Sequence, residues 1–151
     1  MSKEALRIVR VSELPGGAER VRTWILEEWG NTHQEEDQEI RDHILGKASN
    51  LEARVAVLGG VPVGAVAFKR HELLDEAADV LWINALYVVP QHRRTGIGTK
   101  LVANAESAAA RKEEKIYAFT DIPEFYEAHG WNRHSEDKKW RNWIVFKCLN
   151  F

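Results

Sequence analysis

The run Arg93-Arg94-Thr95-Gly96-Ile97-Gly98-Thr99 holds the residues of this chain whose types and spacing speak most directly of chemistry. Gly96 and Gly98 remove the side chains that would keep an anion off the backbone, while Arg93 and Arg94 add fixed positive charge and planar hydrogen-bond donors. The flanking residues supply the setting. Leu86, Tyr87, Val88 and Val89 read as a strand, which Pro90 ends because it has no N–H to pair. Ile97, Leu101, Ala105 and Ala108 recur at steps of four and three and predict one face of a helix. A strand end therefore hands the chain to a helix N-terminus, whose unpartnered N–H groups and partial positive charge make a seat for a phosphate or pyrophosphate.

Paired glycines also serve in plain turns, so the wider pattern matters. The spacing is not the dinucleotide fingerprint, because Thr99, Lys100 and Leu101 follow Gly98. Nor is it a Walker A loop, since no glycine precedes Lys100. The run instead resembles the acyl-CoA pyrophosphate loop of the GNAT family of N-acetyltransferases, Arg/Gln-x-x-Gly-x-Gly/Ala, with Arg93, Gly96 and Gly98 on the fixed positions. Arg94 stands at a variable position where many members have glycine. Further on, Phe125-Tyr126-Glu127-Ala128-His129-Gly130-Trp131 is similar to the family's second signature, Phe-Tyr-Glu-x-x-Gly-Phe/Trp. The resemblance covers most of the chain from Val55 onward.

The length of 151 residues suits one domain with a real core, expected to span residues 1–151. Lys plus Arg is 21 against 23 for Asp plus Glu, a net charge of −2, which argues against nucleic acid as the main partner, and no nucleic-acid partner is expected. The one cysteine, Cys148, excludes a disulfide framework or a cysteine metal site within one chain, and no metal site is expected. No window approaches the roughly 18–20 apolar residues of a membrane span, so no membrane association and a cytoplasmic location are the simplest expectations.

In chain order, Leu6, Ile8 and Val11 suggest a first strand, closed by Pro15-Gly16-Gly17. Val21, Trp24, Ile25 and Trp29 predict a helix stopped at Gly30-Asn31, and a second helix is expected from about Glu35 to Leu45. The acidic run Glu35, Glu36, Asp37, Glu39 and Asp42 reads either as a solvated helix face or as an attractor for a cationic amine. His33 and His43 are taken as surface residues. Arg54–Leu58 and Val63–Phe68 form a hairpin around Gly59-Gly60, and Val80–Val89 is the long strand feeding the loop. After the helix come a strand at Lys115–Thr120, a short helix with Asp121 as N-cap and Pro123 in its first turn, and a terminal hairpin of Trp131–Ser135 and Trp140–Lys147. The fold class is thus α/β, a mixed sheet with helices on its faces.

The resemblance implies more: a mostly antiparallel central sheet whose two parallel strands splay apart at the acyl-CoA site, through a β-bulge expected near Leu86–Val88. It implies acetyl-CoA as cosubstrate, bound by Leu86, Tyr87 and Val88 on the strand and by Arg93, Arg94, Thr95, Gly96, Ile97, Gly98 and Thr99 in the loop. Acetyl transfer to a primary amine by direct attack is the implied activity, with a small-molecule or peptide amine as acceptor. A backbone N–H near Tyr87 or Val88 is expected to polarise the thioester carbonyl, and Tyr126 resembles the tyrosine that protonates the leaving thiolate. An amine of pKa ~10.4 must also lose its proton. Candidates for that base are His71, Glu72, Asp75, Asp79 and Asp121, with His71 or Glu72 preferred; Asn84 cannot serve. Trp24 and Trp82 are expected in the core, while Trp29, Trp140 and Trp143 are candidates for an aromatic wall around a cationic acceptor. The alternative function is a CoA-binding sensor with little turnover, and a third reading is a nucleotide-phosphate binder. The strand Ile144-Val145-Phe146 leaves a homodimer and a lone sheet edge both open.

Overall fold

The computed structural model describes residues 5–30, 37–47, 49–73, 76 and 78–149. Its strands are β1 (Leu6–Arg10), β2 (Arg54–Leu58), β3 (Val61–His71), β4 (Val80–Val88), β5 (Lys115–Thr120), β6 (Asn132–Asp137) and β7 (Asn142–Cys148). They form a seven-stranded sheet in the order β1-β2-β3-β4-β5-β7-β6. Each neighbouring pair is antiparallel except β4 and β5, which run parallel and are joined through a helix. The helices are α1 (Gly17–Trp29), α2 (Asp37–Leu45), α3 (Ile97–Ala109) and α4 (Pro123–Glu127). The expected start of the second helix near Glu35, together with Asn31, His33, Glu36 and Asp75, lies outside the described residues.

Both sheet faces are covered around the centre, which explains the continuous buried run Val63–Phe68 in β3. One face packs Val66, Phe68, Leu81 and Ile83 against Ile97, Leu101, Val102 and Ala105 of α3 and Tyr126 of α4. The other packs Val55, Val57, Ala65 and Ala85 against Val21, Trp24, Ile25, Ile40 and Ile44. Leu101 is fully buried, and a leucine so placed contributes about 1.5–3 kcal/mol. The α3 stripe differs from expectation at its end, where Ala109 is buried and Ala108 only half-buried. At α4 the cap is not Asp121: the N-cap is Ile122, without a side-chain cap bond, and its N–H donates to Thr120 Oγ1 at 3.0 Å. Among the described residues, no helix is long and apolar enough to cross a membrane.

Candidate active site where β4 and β5 part

β4 pairs with β5 only at Trp82↔Tyr117 and Ile83↔Ala118. Beyond that point the two strands diverge. On its other side β4 stays with β3, but the register shifts between Ala67↔Ala85 and Phe68↔Ile83, leaving Asn84 as the extra residue of a bulge. The bulge thus falls at Asn84 rather than at Leu86–Val88. The reason is local: a bulge bends its own strand, so it must sit where the parting begins, immediately after Ile83.

The ladder also decides which backbone groups enter the gap. The Val89 N–H donates to Val63 O at 2.9 Å, and opposed pairs of an antiparallel ladder alternate between bonded and non-bonded. Tyr87 and Ala85 therefore spend their amides on β3, whereas the amides of Leu86 and Val88 face the side that β5 has left. Of the two expected carbonyl polarisers, Val88 has the free donor and Tyr87 does not.

At the end of β4, a short 3-10 turn (Pro90–His92) leads into the loop. Arg93 folds back on it: Nε donates to Val88 O at 2.7 Å, an NH2 group meets Glu28 of α1 at 3.3 Å, and the guanidinium lies 5.5 Å from the Tyr87 ring centre. These contacts clasp the loop to the strand end and to α1. Arg94 is exposed and takes a φ of +64°. Gly96, at φ +89°, is the N-cap of α3, and a Cβ built there meets nothing within 4 Å. The space over the first turn of α3 is open, as an anion seat beside unpartnered N–H groups requires. Thr95 Oγ1 donates to His92 O within the loop. Thr99 Oγ1 lies 3.1 Å from His129 Nε2, tying the first turn of α3 to the end of α4. Gly98 is shielded, with Phe125 Cζ 3.7 Å from its would-be Cβ.

Tyr126 sits on α4 with Phe125 at 5.1 Å edge-on and Trp131 at 4.8 Å, and only 5% of it is exposed. Burial pushes its phenol well above the usual range, so it stays protonated. Gly130 at φ +87° turns the chain, and the Trp131 N–H returns to Tyr126 O at 3.1 Å. Trp131 Nε1 then donates to Glu106 Oε2 at 2.9 Å, while Lys147 Nζ bonds Glu106 Oε1 at 2.7 Å and His129 O at 2.9 Å. This network, with Glu106 and Lys147 carrying no sequence signal of their own, fixes α4 between α3 and β7.

The preferred base candidates are not brought to this place. His71 pairs with Val80 at the start of β4, and Glu72 and Asp79 lie beside it, at the end of the sheet away from the loop. Asp121 does follow the diverging end of β5. The surface reading of His43 is corrected: it is half-buried on α2, with Nδ1 3.4 Å from Asn84 Nδ2 at the bulge. Nor do the three tryptophans form one wall. Trp29 meets Tyr87 on the α1 side, Trp143 packs on the α3 side under Arg133 at 4.6 Å, and Trp140 is 65% exposed in the β6–β7 turn.

The arrangement is a mixed sheet with one parted parallel pair, opening beside the N-terminus of α3. Residues 18–131 match the Acetyltransferase (GNAT) family. The chain belongs to that family. No curated protein sequence matches it. Among solved structures it is similar to Arabidopsis thaliana Naa50 in complex with the bisubstrate analogue CoA-Ac-MVNAL, at 20% identity and TM-score 0.68, covering 97% of this chain and 99% of that one. A GNAT-family acetyltransferase from Staphylococcus aureus gives 18% identity and TM-score 0.70, covering 97% and 100%. An aminoglycoside 6'-N-acetyltransferase complexed with coenzyme A gives 18% and 0.69, covering 95% and 97%.

Proposed function

We propose that this protein transfers an acetyl group from acetyl-CoA to a primary amine by direct attack. The observation carrying this reading is the parting of β4 from β5 at Asn84, directly upstream of the Gly96 anion seat. Acetyl-CoA supplies the activated acyl thioester. Arg93, Arg94, Thr95, Gly96, Ile97, Gly98 and Thr99 hold its pyrophosphate through the guanidinium groups and the free N–H groups of the first turn, and Arg93 also keeps that loop in register. Leu86 and Val88 offer their amides to the acyl-bearing arm, Tyr87 packing behind them on Trp24 at 5.3 Å. The Val88 N–H polarises the carbonyl, a role typically worth about 3 kcal/mol.

Tyr126 is the general acid for the departing sulfur, its proton retained by burial until charge builds there. His43 lies at the bulge with Nδ1 3.4 Å from Asn84 Nδ2, and its imidazole takes the amine's proton when Nδ1 releases the Asn84 amide. The chain is taken as one catalytic domain over residues 1–151. The acceptor is a small or peptide amine, and solved structures of this fold include both a peptide-analogue complex and an aminoglycoside enzyme.

The burial of Tyr126 also favours a second reading, a CoA-binding sensor in which the ring only packs. Thiol release from acetyl-CoA across polyamines, aminoglycosides, amino acids and peptides, for wild type and Tyr126→Phe, separates the two. An enzyme releases thiol with one acceptor class and loses kcat in the variant at unchanged acetyl-CoA affinity. Binding of acetyl-CoA without release by any acceptor would leave the sensor.

A further inference from the structure

A second polar cavity of about 380 Å³ lies away from the parted strands, between the β1–β2 edge and the C-terminal half of α3. Arg10, Arg54, Arg111 and Lys112 line it, against one carboxylate, Glu52. That carboxylate is engaged, its Oε1 accepting the Ser12 N–H at 2.8 Å. Arg10 and Arg54 stand directly opposite each other in the β1–β2 ladder, a cross-strand arrangement of like charges that disfavours the pairing. Arg10 is partly relieved by Glu13 at 3.3 Å. Among the described residues, Arg54 Nε is fully buried without a hydrogen-bond partner, and so is Oδ1 of Asn104 across the cavity. Burial pushes the Arg54 pKa down, Arg10 and Arg111 add to that, and Glu52 and Glu13 offset it only in part. Among the described residues, the Lys112 ammonium reaches the Asn50 carbonyl at 3.5 Å.

Buried donors and acceptors left without partners cost free energy, and a cluster of like charges adds to it. A small oxyanion carrying a hydroxyl answers the charge deficit, since its oxygens accept from guanidinium groups, and a turn of the Arg54 and Asn104 side chains brings the two covered atoms to it, Asn104 Oδ1 accepting from its hydroxyl. We propose that this cavity binds a phosphate-bearing anion, with Arg54 and Arg111 as charge-assisted donors and Asn104 as acceptor. The site is separate from the loop at Gly96. The two lie at opposite ends of α3, whose 13 residues make a rod of about 20 Å. Bound there, the anion bridges β1 and β2 to the helix that carries the loop.

The test is an amide-resolved NMR titration of the whole chain with inorganic phosphate, ionic strength being held constant with chloride. Saturable shifts are expected at Arg54, Asn104, Ser107 and Arg111, whatever happens independently at Thr95–Thr99. Arg111→Ala removes an exposed side chain and should weaken that binding roughly tenfold, as should Arg54→Met if it folds. A parallel titration with glycerol phosphate identifies the source: tighter binding assigns a phosphate monoester, equal binding assigns free phosphate. Shifts that never saturate, saturation confined to the Gly96 loop, or unchanged affinity in Arg111→Ala would each overturn the proposal.

Discussion

Replacing Arg94 by glycine should move stability and ligand affinity in opposite directions. Arg94 holds φ at +64°, in the left-handed region where a side chain costs about 1–2 kcal/mol. Glycine removes that strain but loses more chain entropy on folding, a term of about 0.5–1 kcal/mol. No hydrogen bond or ion pair of the Arg94 side chain is found among the described residues, so little folded-state contact is lost. The balance leaves Arg94→Gly more stable by about 0.5–1 kcal/mol, or a Tm higher by about 1–4 °C. Its acetyl-CoA affinity should meanwhile fall roughly tenfold, the worth of one charge-assisted contact to phosphate. The salt dependence of binding should flatten with it. Arg94→Lys keeps both the charge and the strained backbone, and so should match wild type in Tm. Scanning calorimetry and titration calorimetry with acetyl-CoA at low and high salt read both quantities. A lower Tm in the glycine variant would refute the strain argument, and undiminished affinity would refute Arg94 as a phosphate contact.

Gly64→Ala brings a Cβ to 2.7 Å from Tyr87 O and 3.2 Å from Leu101 Cδ1; it should cost about 1–3 kcal/mol in denaturant unfolding and weaken acetyl-CoA binding by displacing β4. Gly98→Ala, with 3.7 Å of clearance, should keep binding and gain up to about 1 kcal/mol of helix stability; if it behaves like Gly64→Ala in the same unfolding assay, the clearance argument fails. Glu28→Gln frees the outer nitrogens of Arg93 from a half-exposed ion pair and should tighten acetyl-CoA binding at low salt by up to about fivefold; weaker binding would mean that Glu28 is needed to aim Arg93. Burial raises the phenol pKa of Tyr126, and that of Tyr117 with Glu76 adding to it. The folded protein holds these protons longer than the unfolded chain, whose tyrosines ionise near pH ~10. Stability should therefore decline above that pH, and Tyr126→Phe should shed part of the slope in alkaline unfolding curves.

Much of this arrangement was legible in the sequence. The Leu86–Ala109 strand, loop and helix follow from Pro90, the paired glycines and the spacing of Ile97, Leu101 and Ala105. Arg54–Leu58 and Lys115–Thr120 come out with their expected boundaries, because each is a short apolar run between clear breakers. Illegible were the properties that depend on what a residue meets. His43 looks like any polar residue of an acidic helix until α2 is laid across the sheet at Asn84. The contacts of Arg93 with Val88 O and Glu28 are set by the path of the loop and by α1, which its spacing in the sequence does not show. Ala108 fits the apolar stripe by spacing but faces the Arg54 cavity, since the sheet ends there with β1 and β2.

The gap between β4 and β5 is itself a consequence of where each strand finds its other neighbour. β4 keeps β3 to its end, through Val88↔Gly64, and Gly64 is what lets the two backbones approach. β5 keeps β7 equally far, through Phe119↔Ile144 and Thr120↔Trp143. Each strand is therefore paired on its outer side and free on its inner side. At the mouth, both chains are also turned away from closure. Arg93 occupies the Val88 carbonyl on one side, and Thr120 Oγ1 takes the Ile122 N–H on the other, sending the chain into α4. Unpaired strand edges are a liability unless something covers them. An extended amide-bearing arm, such as the pantetheine of the proposed cosubstrate, would meet strand backbone on both sides of this gap. The anion seat at its mouth would hold the other end of the same ligand. The bulge at Asn84 falls where β4 and β5 cease to pair, and the partner each strand keeps on its outer side holds the gap open beyond it.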